Sequence, residues 1–235
     1  MKILAVETST DACSAALSID GVITERFELT PKEHTKLILP MIDSLMAEAG
    51  LRPQQLDALA FSCGPGSFTG VRIATGVIQG IAFGADLPVV PVSTLAAVAQ
   101  DYFDHSHTTE NIAFTAMDAR IGEIFWGVYQ KDDVGLAQLI GKEAVILAED
   151  IEFPDVSGFG VGSGWGVYAA ELNNRLGNRV LGYEVTYYPR ASAIVRLGMR
   201  DFNNGLALPV EQAMPVYLRD KVAQTEAERK LNKQL

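Results

Sequence analysis

The chain has 235 residues, enough for one sizeable domain or for two small lobes. Its composition is that of an ordinary globular protein, and a net charge of −10 argues against independent nucleic-acid binding, which leaves a basic footprint. Cys13 and Cys63, the two cysteines, lie in apolar strand patterns and indicate buried thiols rather than a disulfide or a metal site. The run MKILAVETST is too short for a signal peptide and is interrupted by Glu7, so we expect a cytoplasmic protein without membrane association.

The chain begins with three predicted strands. They cover residues 2–9, 12–19 and 22–29. The first strand ends by presenting Glu7, Thr8 and Ser9 at the mouth of a hairpin. In two-lobed phosphate-binding folds, a carboxylate and hydroxyls at this point bind nucleotide and metal. A plain turn would be rich in the same residue types, so the residues alone leave both interpretations open.

A helix with an unusually wide apolar surface is predicted over residues 33–49. Leu39, Ile42 and Met46 extend its inward stripe to about half of the circumference, whereas an ordinary surface helix has an apolar arc of about 100°. Such a helix is either enclosed inside the fold or docked on a partner.

A Gly-Pro-Gly turn at residues 64–66 follows a predicted strand, residues 56–63, and leads into a second apolar helix, residues 70–84. A glycine-rich turn before a helix N-terminus is a potential anion site, although many such turns are only turns. The helix is too often interrupted by polar residues to be a membrane span.

Glycines recur every four residues on this second helix, and each costs about 1 kcal/mol relative to alanine. Arg72, Gly76, Gln79, Gly80 and Phe83 share one side of the helix. We interpret that side as a partner surface; the alternative is packing of the glycines on the protein's own sheet.

The second half of the chain repeats the order of the first in topology but not in sequence. Gly162, Ser163 and Gly164 stand before a helix, like the first glycine-rich turn, and two such turns facing each other would suit a nucleotide. We predict an α/β protein with two ribonuclease-H-like lobes. The predicted first lobe spans residues 1–103, and residues 206–220 return to it. The predicted second lobe spans residues 104–205 and includes helices at 165–176 and 190–203. A final strand at 211–219 and a charged tail at 221–235 follow.

Several stretches together resemble the bacterial TsaB family, also called YeaZ. They are MKILAVETST, GPGSFTGVRI, LPVVPVSTLAAVA, MDARIGEIFWGVY and MPVYLRD, spread over residues 1–220. The resemblance implies the actin-like ATPase (ASKHA) fold and kinship with TsaD, which transfers threonylcarbamoyl to a tRNA adenosine. It implies a non-catalytic scaffold subunit that binds and activates TsaD in N6-threonylcarbamoyladenosine (t6A37) modification of tRNAs.

The resemblance also implies the assembly. TsaB proteins form homodimers in isolation and pair with TsaD through helices that correspond to residues 33–49 and 70–84. TsaE, an ATPase, joins the complex, TsaC supplies the threonylcarbamoyl-adenylate, and tRNA is met only through the complex. The predicted partner-binding residues are Leu39, Ile42, Met46, Arg72, Gly76, Gln79, Gly80 and Phe83.

The positions of TsaD's His-x-x-x-His metal pair fall on Thr94 and Val98, neither of which is a ligand of that type, and Ala96 stands in place of the intervening glutamate. We therefore expect no metal, no catalytic residues and no metalloprotease activity. The alternative is a nucleotide-binding ATPase of the same fold with its own activity. Its weak nucleotide site would comprise Glu7, Thr8, Ser9, Gly162, Ser163 and Gly164.

Overall fold

The computed structural model describes residues 1–219, and the predicted tail at 221–235 lies outside them. The first half of the chain forms a five-stranded sheet in the order β3-β2-β1-β4-β5. The strands are β1 (Lys2–Glu7), β2 (Ala12–Ile19), β3 (Val22–Leu29), β4 (Ala58–Gly64) and β5 (Val89–Ser93). β1, β2 and β3 form an antiparallel meander, whereas β4 and β5 run parallel to β1 through helical crossovers.

The second sheet has the same topology. Its strands are β6 (Ile112–Arg120), β7 (Glu123–Lys131), β8 (Ala137–Leu147), β9 (Gly158–Val161) and β10 (Val180–Glu184), in the order β10-β9-β6-β7-β8. β6, β7 and β8 are antiparallel, and β9 and β10 are parallel to β6. The repeated strand order confirms the prediction of two ribonuclease-H-like lobes, the arrangement of the actin-like fold.

Five α-helices cover the sheets. They are α1 (His34–Glu48), α2 (Phe68–Ala85), α3 (Thr94–His105), α4 (Gly164–Leu176) and α5 (Ala191–Asn203). α1 and α2 pack on one face of the first sheet, where β1 contributes Leu4 and Val6. α3 is buried between the lobes and packs against β6, β7 and β8 as well as β4 and β5. α3 is therefore the layer that the two lobes share.

α5 lies on the first sheet, although the predicted division placed residues up to 205 in the second lobe. A Cβ at Gly198 would lie 2.8 Å from the Cβ of Ala60 on β4, and the backbone N–H of Ala191 donates to Ser14 Oγ at 2.9 Å. The apolar stripe of α5 completes the core formed by Ile3 and Ala5. Periodicity predicts the helix but not which sheet it covers.

The predicted final strand at 211–219 is not formed. Residues 210–212 make a short 3₁₀ turn, and residues 213–219, here called the strap, have no regular secondary structure. The strap is nevertheless fixed to the first lobe, because the backbone N–H of Val216 donates to the carbonyl of Cys63 at 2.7 Å. Just before it, Leu208 pairs with Val89 through two backbone hydrogen bonds.

Candidate functional site

The wide apolar surface of α1 is mostly enclosed by the chain itself. Ile42 and Met46 are only 7% and 6% exposed, because α1 packs against both β2 and α2. The prediction that these two residues form a surface contact is therefore wrong, because both lie in the core. Leu39 lies on the other side of α1 and is 54% exposed. It is the residue of the three that a partner could touch.

The glycines of α2 face open space. Among residues 1–219, a Cβ built at Gly76, Gly80 or Gly84 would meet nothing within 4 Å, so these glycines do not pack on the protein's own sheet. Phe83 stands among them and is 80% exposed. We call these four residues the glycine face. The opposite side of α2, which includes Ala74 and Ile78, is buried against the first sheet.

By length and composition alone α2 could also cross a membrane, and 33% of it is buried inside the chain. Length and composition do not distinguish a membrane span from a helix that packs on a sheet. One side of α2 is apolar because it is buried against the first sheet, and the other side is apolar because it carries the glycine face.

The strap lies beside the glycine face and binds two of the predicted partner residues. The Arg72 Nε donates to the hydroxyl of Tyr217 at 2.8 Å, and the Gln79 Nε2 donates to the carbonyl of Ala213 at 2.8 Å. Phe68 packs on Tyr217 with ring centroids 6.0 Å apart. Sequence reasoning did not select Phe68 or Tyr217, although both lie in stretches that carry the family resemblance.

The first glycine-rich turn packs onto the end of β1. A Cβ at Gly66 would lie 2.6 Å from the carbonyl oxygen of Ser9. A Cβ at Gly70, on the first turn of α2, would overlap the carbonyl oxygen of Thr8. The backbone N–H of Ser67, at the N-terminus of α2, donates to the same Ser9 carbonyl at 2.7 Å. The carbonyl oxygen of Ser9 thus takes the N–H of Ser67 at the start of α2, where an anion would otherwise accept it.

Glu7 is fully buried beneath that turn. Its Oε1 accepts from both the backbone N–H and the hydroxyl of Ser9. Its Oε2 has no hydrogen-bond partner among residues 1–219, and neither has the hydroxyl of Ser62 beside it. Burial raises the pKa of Glu7 from 4.5 to about 7, although the hydrogen bonds from Ser9 oppose the rise. The carboxyl therefore takes up a proton near neutral pH.

The second glycine-rich turn repeats this arrangement in the second lobe. A Cβ at Gly162, where φ is +98°, would lie 2.6 Å from the carbonyl oxygen of Ala116 on β6, and one at Gly164 would lie 2.9 Å from the Cβ of Ala116. Ser163 Oγ accepts from the backbone N–H of Asp118 at 3.2 Å. Within residues 1–219 no hydrogen bond joins this turn to residues 7–9. Each predicted half of the nucleotide site closes onto its own lobe.

The positions of the TsaD metal pair are buried in α3. Thr94 and Val98 have almost no exposed surface. In the part of the chain that the structure describes, no group of three or more His, Cys, Asp or Glu side chains is placed to hold a metal ion. His34 is a buried residue whose Nε2 lies 3.1 Å from the carbonyl oxygen of Ala12, so it joins α1 to β2.

Known proteins share this sequence and fold. The family model that matches residues 18–227 is described as TsaD, tRNA N6-adenosine threonylcarbamoyltransferase. The tRNA threonylcarbamoyladenosine biosynthesis protein TsaB of Escherichia coli (strain K12) is 41% identical, over 95% of this chain and 96% of its own length. A solved structure of YeaZ from Pseudomonas aeruginosa has a TM-score of 0.83 at 39% identity, over 92% of this chain and 99% of its own.

The likeness to a transferase is shorter. The tRNA N6-adenosine threonylcarbamoyltransferase of Chlorobium phaeobacteroides (strain BS1) is 30% identical over 150 residues, which are 56% of this chain and 43% of that protein. The match to TsaB, by contrast, extends over nearly the full length of both chains. The chain belongs to the TsaB (YeaZ) family of tRNA threonylcarbamoyladenosine biosynthesis proteins, within the wider family described by the TsaD model.

Proposed function

We propose that this chain is a non-catalytic docking subunit that binds and activates a TsaD-type transferase, and so supports formation of N6-threonylcarbamoyladenosine in tRNA in the cytoplasm. The observation that carries the proposal is the glycine face of α2, with its three glycines open to solvent beside an exposed Phe83.

The glycine face is costly for a lone chain. Three interior glycines lower helix stability by about 3 kcal/mol relative to alanine. They gain nothing from residues 1–219, since no atom of that part of the chain lies within 4 Å of where their Cβ atoms would be. They would let another backbone approach closely, and Phe83 would then become a buried aromatic anchor. Leu39 adds a second exposed apolar contact on the adjoining helix α1.

The residues favour a supporting role over catalysis by this chain. Thr94 and Val98 replace the metal ligands that the TsaD resemblance places there, and both are buried. The net charge of −10 disfavours direct binding of tRNA, which a complex with the transferase would provide. A second copy of the chain would use the same face, so the homodimer would compete with the heterodimer. TsaE would join the assembled pair.

Reconstituted threonylcarbamoyl transfer to tRNA tests the proposal. We expect activity only when this chain is combined with its TsaD-type partner, and loss of both complex formation and activity in Gly80→Asp. The matched control is Val134→Asp, which adds the same charge at an exposed position in the second lobe. Leu39→Asp should weaken the complex without unfolding the chain. Full complex formation by Gly80→Asp would show that the surface is wrong, and transfer by the chain alone would refute the non-catalytic role.

A nucleotide-binding ATPase remains the second candidate, favoured by the unpartnered Oε2 of Glu7 at the end of β1. The packing of both glycine-rich turns against their own strand ends opposes it, because neither turn leaves an open cradle for a phosphate. Saturable binding of ATP by the isolated chain, with turnover that Glu7→Gln abolishes, would favour the ATPase over the docking subunit.

A further inference from the structure

A guanidinium group stacked on aromatic rings stands beside the glycine face. The Arg72 Cζ lies 3.4 Å from the ring centroid of Phe68 and 5.7 Å from that of Tyr217. Its Nε donates to the Tyr217 hydroxyl, while its two terminal nitrogens have no hydrogen bond or salt bridge within residues 1–219. Cation–π contacts of this kind hold a guanidinium in one orientation. The two terminal nitrogens of Arg72 are therefore held in place with their N–H donors unused within residues 1–219.

The strap holds this arrangement in place from both lobes. At its start, the carbonyl of Ala213 accepts from Gln79, and in its middle Val216 bonds to the backbone of β4. At its end, Arg219 donates to the carbonyl of Ala119 on β6 at 3.1 Å. Met214 projects from the same strap and is 62% exposed. An exposed apolar area thus adjoins an oriented, unpaired cation.

We propose that Arg72 is the charged centre of the docking surface and pairs with a carboxylate of the transferase partner, with Phe68, Tyr217 and Met214 forming the apolar surround. The inference rests on the proposed function and extends its surface from the glycine face to the strap. Two free guanidinium nitrogens match a carboxylate in a bidentate pair. Arginine and tyrosine are enriched among interface residues that dominate affinity, and a side chain already fixed loses little freedom on binding.

Charge favours a carboxylate of the transferase at Arg72 over two other occupants, a second copy of the chain and tRNA. A second copy docked on the glycine face would bring its own Arg72 and a further net charge of −10, so it competes for that face with poorer charge complementarity than an acidic site on the partner. The phosphates of tRNA would be repelled by the same net charge. A protein surface with an acidic side chain in an apolar setting is complementary to the stacked arginine.

The test is the affinity of the full-length chain for its TsaD-type partner, measured by calorimetry at low and high salt. We expect Arg72→Gln to weaken the complex by at least about tenfold and to reduce its salt dependence. Arg72→Lys keeps the charge but loses the planar guanidinium and its stacking on the rings. Its affinity for the partner should therefore lie between those of the wild type and Arg72→Gln. Lys142→Gln removes an exposed cation from the second lobe and should change nothing. Tyr217→Phe keeps the ring and removes only the hydroxyl that orients Arg72. It is the second test if the Arg72 variants have lowered melting temperatures.

Affinities of Arg72→Gln and Tyr217→Phe within twofold of the wild type would overturn the inference. If Gly80→Asp still abolishes the complex in that case, the proposed function stands and only the role of Arg72 fails; if Gly80→Asp also binds, both fail. The inference is equally overturned if Arg72→Gln keeps the partner affinity but weakens self-association in sedimentation velocity, or weakens tRNA binding measured by fluorescence anisotropy. Those results would assign the stacked arginine to a second copy or to RNA.

Discussion

Replacing Glu7 with glutamine should remove a pH dependence of stability that the buried carboxyl creates. The pKa of this group is about 7 in the folded chain against 4.5 for an unburied glutamate, so between these values the folded state binds more protons than the unfolded state. Stability therefore falls as the pH rises through this window. With about 1.4 kcal/mol for each pKa unit, the ionised carboxyl costs the fold about 3 kcal/mol above neutral pH.

Glutamine mimics the protonated form. Its carbonyl can accept from Ser9 as Oε1 of Glu7 does, and its amide can donate to the hydroxyl of Ser62, which has no hydrogen-bond partner among residues 1–219. We expect Glu7→Gln to stabilise the chain by about 3 kcal/mol at about pH 8.5 and by less than about 1 kcal/mol at about pH 5.

Urea denaturation of both proteins between these pH values measures the difference. Other buried acids, such as Asp101, titrate in both proteins and cancel in the subtraction. Glu171→Gln, at an exposed position on α4, should leave the profile parallel to that of the wild type. If the stability difference between Glu7→Gln and the wild type stays constant with pH, the burial argument for Glu7 is refuted.

Three further outcomes follow from packing and burial. Gly76→Ala should stabilise the lone chain by about 1 kcal/mol, because a methyl group there meets no atom of residues 1–219. Gly70→Ala should destabilise the chain through overlap with the end of β1, and urea denaturation checks both variants. Met46→Asp should cost more than about 3 kcal/mol, seen as a large fall in melting temperature, and a normal melting temperature would show that Met46 is not in the core. Burial raises the pKa of Cys13 to about 11 and that of Cys63 to about 12, so Ellman's reagent at about pH 8 should label neither thiol until the chain is unfolded.

The strands and their order could be predicted because local patterns determine them. Alternation along 2–9, 12–19 and 22–29 and the turn residues between them indicate a meander, and the helix that follows requires a crossover. The full length of β8 could not be predicted in this way, because it spans Ala137–Leu147 and most of its side chains are at least partly exposed. An edge strand of that kind has a weak hydrophobic pattern.

Some features of the candidate site can be predicted from local sequence and others cannot. The glycine spacing of α2 is a local feature, and in the described residues those glycines are open to solvent. Ile42 and Met46 have the same apolar character as Leu39, and only the position of neighbouring elements decides that they are buried. The contact between Arg72 and Tyr217 joins residues 145 positions apart, which no local pattern can indicate.

The return of α5 to the first sheet has a consequence for how the chain folds. One face of β1 and β4 is covered by residues 191–203, so the first lobe remains open on that side until residue 203 has left the ribosome. Contacts this distant in sequence slow folding, and an uncovered apolar sheet is prone to aggregation meanwhile. A fragment that stops at residue 103 would keep that face exposed permanently. The first lobe thus needs residues 191–203 to complete its core, and residues 1–103 alone do not supply them.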